Sequence, residues 1–187
     1  MLEHKIDFMV TIEVREANAN GDPLSGNMPR TDAKGHGLIS DVAIKRKIRN
    51  RMQDFGCPTF VQAGDRIEDE FRSLEKRFSN QFTSKDSDAE IEEKANQLWM
   101  DVRSFGQVFT YLKKSIGVRG PVSLNMAKSL EPIVISSLQI TRSTNGMEAK
   151  NESGRSSDTM GTKHFVDYGV YVIKGSINPN FAEKTGF

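Results

Sequence analysis

Apolar and polar residues alternate along the first part of the chain. The apolar positions share one parity and are filled by Ile6, Phe8, Val10, Ile12 and Val14. Alternation of this kind predicts a half-buried strand with one face toward a core. Residues 18–37 follow and are dense in glycine, asparagine, aspartate and proline, so we expect a long loop without regular structure.

Residues 41–55 show helical spacing instead of alternation. Ser40 is the predicted N-cap and Gly56 the predicted C-cap of this helix. Its buried stripe is predicted to consist of Ile44, Ile48, Met52 and Phe55. The rest of its surface carries the densest basic cluster of the chain, namely Lys45, Arg46, Lys47, Arg49 and Arg51.

The remaining pattern predicts an α+β fold. Residues 65–99 are highly charged and indicate two modest helices, with an apolar stripe beginning at Ile67, and residues 101–112 indicate a third short helix. Residues 120–132, 133–143 and 164–178 have the β-branched, alternating character of strands. The polar residues 144–163 between the last two strands indicate a protruding hairpin arm. This order of elements begins like a ferredoxin-like βαββαβ unit.

Composition limits the possibilities further. A chain of 187 residues supports one core-bearing domain with a small appended lobe. Its 26 basic and 25 acidic residues give a net charge of +1, so a nucleic-acid surface would depend on uneven placement of charge. No apolar run reaches the roughly 18 residues of a membrane span. Cys57 is the only cysteine, and a reducing, cytoplasmic location without membrane partners is expected.

Enzymatic chemistry has little support in the sequence. His4, His36 and His164 are scattered, and no phosphate-binding loop, dinucleotide motif or nucleophile elbow occurs. We therefore predict no catalytic residue, no metal site and no cofactor. Asp22 and Asp32 could hold a metal ion, but capping of local turns is the favoured reading of both.

Nucleic-acid binding has more support, although each feature that suggests it can also be explained by an ordinary structural role. The basic helix suits phosphate contacts or is a solvated face. Arg30, Lys34 and His36 lie in a glycine-rich loop. This loop could line the course of the phosphate groups, or it could be an ordinary connector between two elements. Arg119 lies in a Gly-Val-Arg-Gly segment that could equally be a turn. The arm carries basic residues and methionines but could be disordered: Met147, Lys150, Arg155, Met160 and Lys163.

Several segments of the sequence resemble those of a known protein family. The segment NANGDPLSGNMPRTDAKGHGLISDVAIKRKIRNRM is similar to the N-terminal signature of the CRISPR Cascade backbone subunit, with Ala19 where that family usually has proline. MDVRSFGQVF, GVRGPVSLNMAKSLEPI, ITRS and TMGTKHFVDYGVY resemble the same family in the same order. The residues before MPR and around HGLISDV favour the type I-C version.

The resemblance implies a hand-shaped subunit. Its ferredoxin-like, RRM-like palm would comprise residues 1–58, 99–139 and 165–187, its helical fingers residues 59–98, and its β-hairpin thumb residues 140–164. Known members extend well past the last residues of this chain, so part of the palm is expected to be missing.

The resemblance also implies a function. The subunit would coat a CRISPR guide RNA without sequence preference, as a non-catalytic, repeated subunit of a helical Cascade filament, and present the guide to a target DNA strand. Its partners would be the guide RNA, further copies of itself and other Cascade subunits. The implied RNA contacts are Asn20, Gly21, Arg30, Lys45, Arg46, Arg49, Arg119, Met160, Lys163 and His164, with Met160 as a base-displacing wedge.

Two other functions stay open. A metal-dependent ribonuclease of the type III backbone kind would use Asp22 or Asp32, and a scaffold without RNA contact would use neither. Replacing Lys45, Arg46 and Arg49 by alanine is expected to weaken RNA binding without unfolding the domain.

Overall fold

The computed structural model describes residues 2–141 and 160–187. The chain forms two compact units. The first unit comprises Met1–Val10, Ser40–Met126 and Ile173–Phe187, and the second comprises Thr11–Ile39 and Ala127–Val172. The tip of the predicted thumb, including Met147, Lys150 and Arg155, lies outside the described residues.

Helices and strands are mixed along the described chain. The helices are α1 Asp41–Asp54, α2 Leu74–Gln81, α3 Asp88–Leu98, α4 Met100–Phe105 and α5 Pro179–Thr185. The strands are β1 Ile6–Ala17, β2 Gly21–Asp22, β3 Met28–Pro29, β4 His36–Ile39, β5 Gln107–Phe109, β6 Ile116–Val118, β7 Val122–Leu124, β8 Ala127–Pro132, β9 Ile135–Thr141 and β10 Met160–Ile177. Among these helices, none is long and apolar enough to cross a membrane.

The long strand β10 organises a six-stranded sheet. It pairs with β1, and antiparallel with β7, β8 and β9, while β4 pairs antiparallel with β8. In the second unit Tyr171 of β10 faces Ser129 of β8, and Val166 of β10 faces Ile135 of β9. The predicted α+β class and the predicted late strands are confirmed, and the ferredoxin-like arrangement and the boundaries of palm, fingers and thumb stay predictions.

An aromatic cluster forms the core of the first unit. Phe60, Phe78, Trp99 and Phe109 are buried together, and the ring centroids of Phe60 and Trp99 lie 4.7 Å apart. Aromatic burial of this kind contributes both apolar area and specific ring contacts. The cluster packs α2 and α3 together with the hairpin of β5 and β6. The two predicted helices therefore share one buried core.

The predicted helical stripe beginning at Ile67 is wrong for its first part, because helix α2 begins only at Leu74. Buried Arg77 explains why the helix begins later than predicted. Its guanidinium donates to the Asp69 carboxylate and to the carbonyl of Phe71. These bonds tie residues 69–71 to helix α2 and hold them in a non-helical course.

The third predicted helix, over residues 101–112, is also too long. Helix α4 ends at Phe105, and Gly106 follows with φ of 78°. A Cβ at Gly106 would lie 2.4 Å from the carbonyl oxygen of Val118, so this position needs glycine for its backbone angle and for close packing. The chain continues as strand β5.

The expectation that residues 18–37 lack regular structure is wrong. Strand β2 pairs with β3 and brackets a short 3-10 helix, Pro23–Ser25. Strand β4 then joins β8 in the main sheet. Short pairings of this kind leave no apolar periodicity, which is why the sequence pattern does not reveal them.

Candidate nucleic-acid interface

Helix α1 is held firmly at both ends. The Ser40 side chain accepts the amide of Ala43 at 3.2 Å, as predicted for an N-cap. Gly56 has φ of 73° just beyond the last turn, as predicted for a C-terminal glycine. The predicted stripe is wrong at its end, because Phe55 lies beyond the helix and is 71% exposed.

Arg49 is the most deeply placed of the predicted contacts on α1. Its guanidinium lies 2.8 Å from the carboxylate of Asp101, with side-chain exposures of 12% and 1%. Asp101 also accepts the amides of Phe60 and Val61 at 2.7 and 3.1 Å. A buried carboxylate with this partner set depends on the arginine for charge compensation. Removing Arg49 would therefore destabilise the fold. The expectation that alanine can replace Arg49 without unfolding the domain does not hold.

Arg46 and Lys45 keep their charges nearer the surface. Arg46 donates to the carbonyl of Val61 at 3.1 Å, and burial lowers the pKa of its guanidinium. Lys45 pairs with Asp41 at 3.2 Å. The Lys45 ammonium and the Arg49 guanidinium lie 5.9 and 5.3 Å from the centre of the Phe105 ring, so one aromatic ring gathers two of the three predicted cations.

Lys47 is a further candidate, which is not among the ten RNA contacts that the resemblance implies. It is exposed on α1 and makes no ion pair within residues 2–141 and 160–187. Arg51 is exposed too, but it pairs with Asp54 at 3.6 Å and lies over the Phe55 ring. The basic cluster thus has an inner side that fixes the helix and an outer side, led by Lys47, that is available to a ligand. Helical spacing relative to Ile44 would not have separated these two sides, because Lys47 is three residues from Ile44, on the same face by spacing, and is nevertheless exposed.

Arg119 is an exposed cation with a defined neighbour. Its guanidinium lies 4.3 Å from the centre of the Phe181 ring in α5, an arrangement that favours cation–π attraction. A Cβ at the neighbouring Gly120 would fall 2.4 Å from the Ser104 carbonyl oxygen. That glycine therefore serves the contact with α4 and not the approach of a ligand.

The early turn of the second unit positions Asn20, Gly21 and Arg30. All three are partly exposed. A Cβ at Gly21 would meet the Asn27 side chain at 2.0 Å, so the turn closes only with glycine there. The Arg30 guanidinium reaches Asp22 at 3.4 Å while the Arg30 carbonyl accepts the amide of Leu38. The turn is thus a rigid element and not a loose connector.

Both early aspartates are engaged in local structure. Asp22 caps the short 3-10 helix by accepting the amide of Leu24 at 3.1 Å and also receives Arg30. Asp32 accepts the amides of Lys34 and His36 and the ammonium of Lys128. Within the described residues no group of three or more His, Cys, Asp or Glu side chains is placed to hold a metal ion.

The ribbon of β9 and β10 has two different faces. Met160 and His164 share one face, because alternate residues of a strand point the same way. On that face the His164 ring lies 2.7 Å from the Ser137 hydroxyl, and the Gln139 amide lies 2.9 Å from the Met160 sulfur. Lys163 faces Leu138 on the opposite side. The structure therefore brings Met160 and His164 together and separates Lys163 from them.

The predicted contacts fall in both units. Lys45, Arg46, Arg49 and Arg119 belong to the first unit, and the other six belong to the second. No described contact tests any of them against RNA, so all ten stay predictions.

Comparison with known proteins points to one family. A family model described as CRISPR-associated protein Cas7 matches residues 4–187. A curated relative from Haloferax volcanii, described as CRISPR-associated protein Cas7, is 25% identical over 209 residues, which cover 97% of this chain and 59% of the relative.

Two solved structures share the fold. A chain of a "CRISPR RNA-guided surveillance complex" matches with a TM-score of 0.55 and 17% identity, covering 98% of this chain and 54% of that one. A chain of a "CRISPR RNA-guided surveillance complex, pre-nicking" matches with a TM-score of 0.56 and 16% identity, covering 98% and 67%. This chain thus spans little more than half the length of the first of these structures.

Proposed function

This chain belongs to the CRISPR-associated protein Cas7 family, and on that premise we propose that it binds a CRISPR guide RNA without sequence preference. It acts as a repeated, filament-forming subunit of a type I surveillance complex, with type I-C as the subtype that its motifs favour. Its partners are the guide RNA, other copies of itself and other Cascade subunits, and it works in the cytoplasm.

The observation that carries the proposal is that some basic side chains of α1 fix the helix, whereas others are left available to RNA. Arg49 and Arg46 fix the helix through Asp101 and the Val61 carbonyl, which leaves Lys47 exposed on a rigid support, while Lys45 is partly exposed and paired with Asp41. Lysine ammonium groups on a fixed element suit phosphate oxygens, and phosphate contacts carry no sequence information. The sequence of the guide is then read by pairing with target DNA.

The turn around Gly21 and the ribbon of β9 and β10 offer further contacts in the second unit. Asn20, Gly21 and Arg30 provide amide and guanidinium donors on a closed turn. Met160 provides an exposed apolar side chain that can insert between bases, as apolar wedges do elsewhere. His164, on the same face as Met160, and Lys163, on the opposite face, are further contacts to ribose or phosphate.

The subunit is not an enzyme in this proposal. A ribonuclease of the type III kind would need Asp22 or Asp32 as a metal ligand or base. Asp22 caps a turn and pairs with Arg30, and Asp32 pairs with Lys128. Both carboxylates would have to break these bonds to take up another role. Incubation with target RNA and magnesium tests the alternative, because cleavage that disappears in Asp22→Ala or Asp32→Ala would establish it.

Sequencing the RNA that co-purifies with the protein from its host tests the proposal as a whole. We expect CRISPR-derived RNA, protected from nuclease, with different guide sequences represented in proportion to their abundance. Recovery of no RNA, or of a single unrelated RNA, would contradict it.

A further inference from the structure

A cleft of about 620 Å³ lies in the first unit, between helix α3 and the end of helix α5. Residues 89, 92, 93, 96 and 97 line it on one side, and residues 183–186 line it on the other. The spacing of the first set is i, i+3, i+4, i+7 and i+8, which places these residues on one face of α3. Another face of α3 buries Ile91 and Ala95 in the aromatic core, so this wall of the cleft is held in place.

The cleft carries a surplus of negative charge. Glu92, Glu93 and Glu183 line it together with a single cation, Lys184, which leaves two negative charges uncompensated. Within residues 2–141 and 160–187 none of these three glutamates forms an ion pair, and Glu93 accepts the Gln97 amide at 3.3 Å. A cleft lined by one sign of charge raises the local concentration of the opposite sign. It therefore attracts a cationic ligand and repels phosphate.

The last turn of α3 lies beside the same cleft. Asn96 and Gln97 belong to that turn, which contains no basic residue. The carbonyl end of a helix carries partial negative charge, and this charge favours a nearby cation. The end of α3 thus adds to the attraction that the glutamates exert.

Asn96 is an independent indication that a hydrogen-bond donor belongs in the cleft. It lines the cleft but is only 4% exposed. Its Oδ1 is buried and accepts no hydrogen bond within the part of the chain that the structure describes. A buried amide oxygen without a donor destabilises the folded state. Because the last torsion of asparagine is broad and roughly two-fold, Oδ1 can turn to meet a donor that enters from the cleft.

A guanidinium group fits these features better than a metal ion does. Nowhere in the described chain are three or more His, Cys, Asp or Glu side chains placed to hold a metal ion. A guanidinium carries five N–H donors in a planar fork, so it can pair with a carboxylate and donate to Oδ1 of Asn96 at the same time. The aliphatic stem of arginine also suits a cleft whose walls are as apolar as they are polar.

We propose that this cleft binds an arginine side chain on a segment of a protein partner. The guanidinium donates to Oδ1 of Asn96 and pairs with Glu92 on α3 or with Glu183 on α5. The inference goes beyond the proposed function, because neither RNA nor the basic helix α1 takes part in the contact. An RNA-binding subunit would thereby hold a protein partner on a surface that repels phosphate.

The test titrates the isotope-labelled full chain with a short blocked peptide rich in arginine. The same peptide with citrulline in place of arginine keeps the shape and removes the charge. The variants are Glu92→Gln, Glu183→Gln and Asn96→Leu. Glu70→Gln removes the same charge at an exposed position of the first unit outside the cleft, so it is the matched control. NMR shifts locate the peptide and give its affinity, and thermal denaturation measures stability.

We expect the arginine peptide to shift the backbone amides of Gln97 and Gly186, which line the cleft, and the citrulline peptide to leave them unchanged. Glu92→Gln and Glu183→Gln should each weaken binding by about 2- to 5-fold, as expected for a partly exposed ion pair. Glu70→Gln should leave the affinity as it is in the wild type.

Asn96→Leu should weaken binding of the arginine peptide by about 10-fold or more, because a hydrogen bond to a charged group is lost. It should not lower the melting temperature, since it also removes an unsatisfied buried oxygen and keeps a similar volume. A lower melting temperature would show that Asn96 is a structural residue and would overturn its role, while Glu92→Gln and Glu183→Gln would still decide whether the cleft takes a cation.

Equal binding of the arginine and citrulline peptides, or equal losses of affinity in Glu70→Gln and Glu183→Gln, would overturn the proposal. Shifts of the Gln97 and Gly186 amides on addition of an RNA oligonucleotide would overturn it too and assign the cleft to RNA. Self-association of the free protein that Glu183→Gln abolishes would assign the cleft to a second copy of the chain instead of a separate partner. A failure of the protein to bind RNA would refute the proposed function but leave this contact standing, because the peptide titration contains no RNA.

Discussion

Arg49 has two possible roles that its sequence context does not separate. Its neighbours on α1 are basic, so it belongs to a basic cluster. Its partner Asp101 lies 52 residues further along the chain. A helical pattern reveals which residues share a face but not which distant carboxylate meets them, and the structural role of Arg49 therefore could not be predicted.

Arg49→Ala is expected to lower the free energy of unfolding by about 3–5 kcal/mol, because it leaves the buried Asp101 carboxylate without its cation. Urea denaturation measures the change. Arg51→Ala, an exposed arginine of the same helix, serves as the control and should change stability by less than about 0.5 kcal/mol. Equal effects of the two substitutions would show that the ion pair with Asp101 is not structural.

Asp32 should titrate unusually low. The pKa of Asp32 is lowered from 3.8 to about 2, mainly by the hydrogen bond from Lys128 and further by the backbone amides of His36 and Lys34. Because the folded pKa is the lower one, the contribution to stability is fully present above about pH 4 and disappears as the pH falls toward 2.

Carboxyl-carbon NMR titration measures this shift. Lys128→Met should return the pKa of Asp32 toward 3.8, while Lys174→Met, at an exposed lysine of the first unit, should leave it low. If the pKa of Asp32 were the same with and without Lys128, the assigned cause would be wrong.

Helix α1 and the ribbon of β9 and β10 differ in how well the sequence reveals them. Caps and helical spacing identify α1 because both depend on nearby residues. The faces of the ribbon depend on β10 beginning at Met160, four residues before the strand predicted from the sequence, and Met160 is paired with Thr141 across the undescribed segment. The sequence therefore identifies Met160, Lys163 and His164 as candidates but does not show that they lie on two faces.

Lys45→Ala and Lys47→Ala should weaken RNA binding and reduce its salt dependence. Each lost phosphate contact on single-stranded RNA removes about 0.7 from the slope of log K against log salt concentration. Lys76→Ala on α2 is the matched control. Slopes identical to the wild type in both α1 variants would remove this helix from the binding surface.

Met160→Ala should leave the salt slope unchanged but reduce the unstacking of bases, because its side chain is an uncharged wedge. Fluorescence of 2-aminopurine placed along the RNA reports unstacking. Lys163→Ala, on the opposite face of the ribbon, should reduce the salt slope and leave the fluorescence pattern. The reverse outcome would contradict the assignment of the two faces.

For the molecule as a whole, the sequence predicted the α+β class, the late strands and the basic helix, since each leaves a periodic or capping signal. It did not predict the short strands of residues 18–37 or the ends of α2 and α4, which depend on Arg77 and on the close approach at Gly106. Its near-neutral net charge also means that any RNA affinity must come from local surfaces.

The most direct test of the account measures the affinity of the protein for four RNA homopolymers across a range of salt concentrations. Binding through the sugar-phosphate backbone should give similar affinities for all four and one common salt slope. Failure to bind, or a preference for one base of more than about 100-fold, equivalent to about 2.8 kcal/mol, would contradict sequence-independent binding.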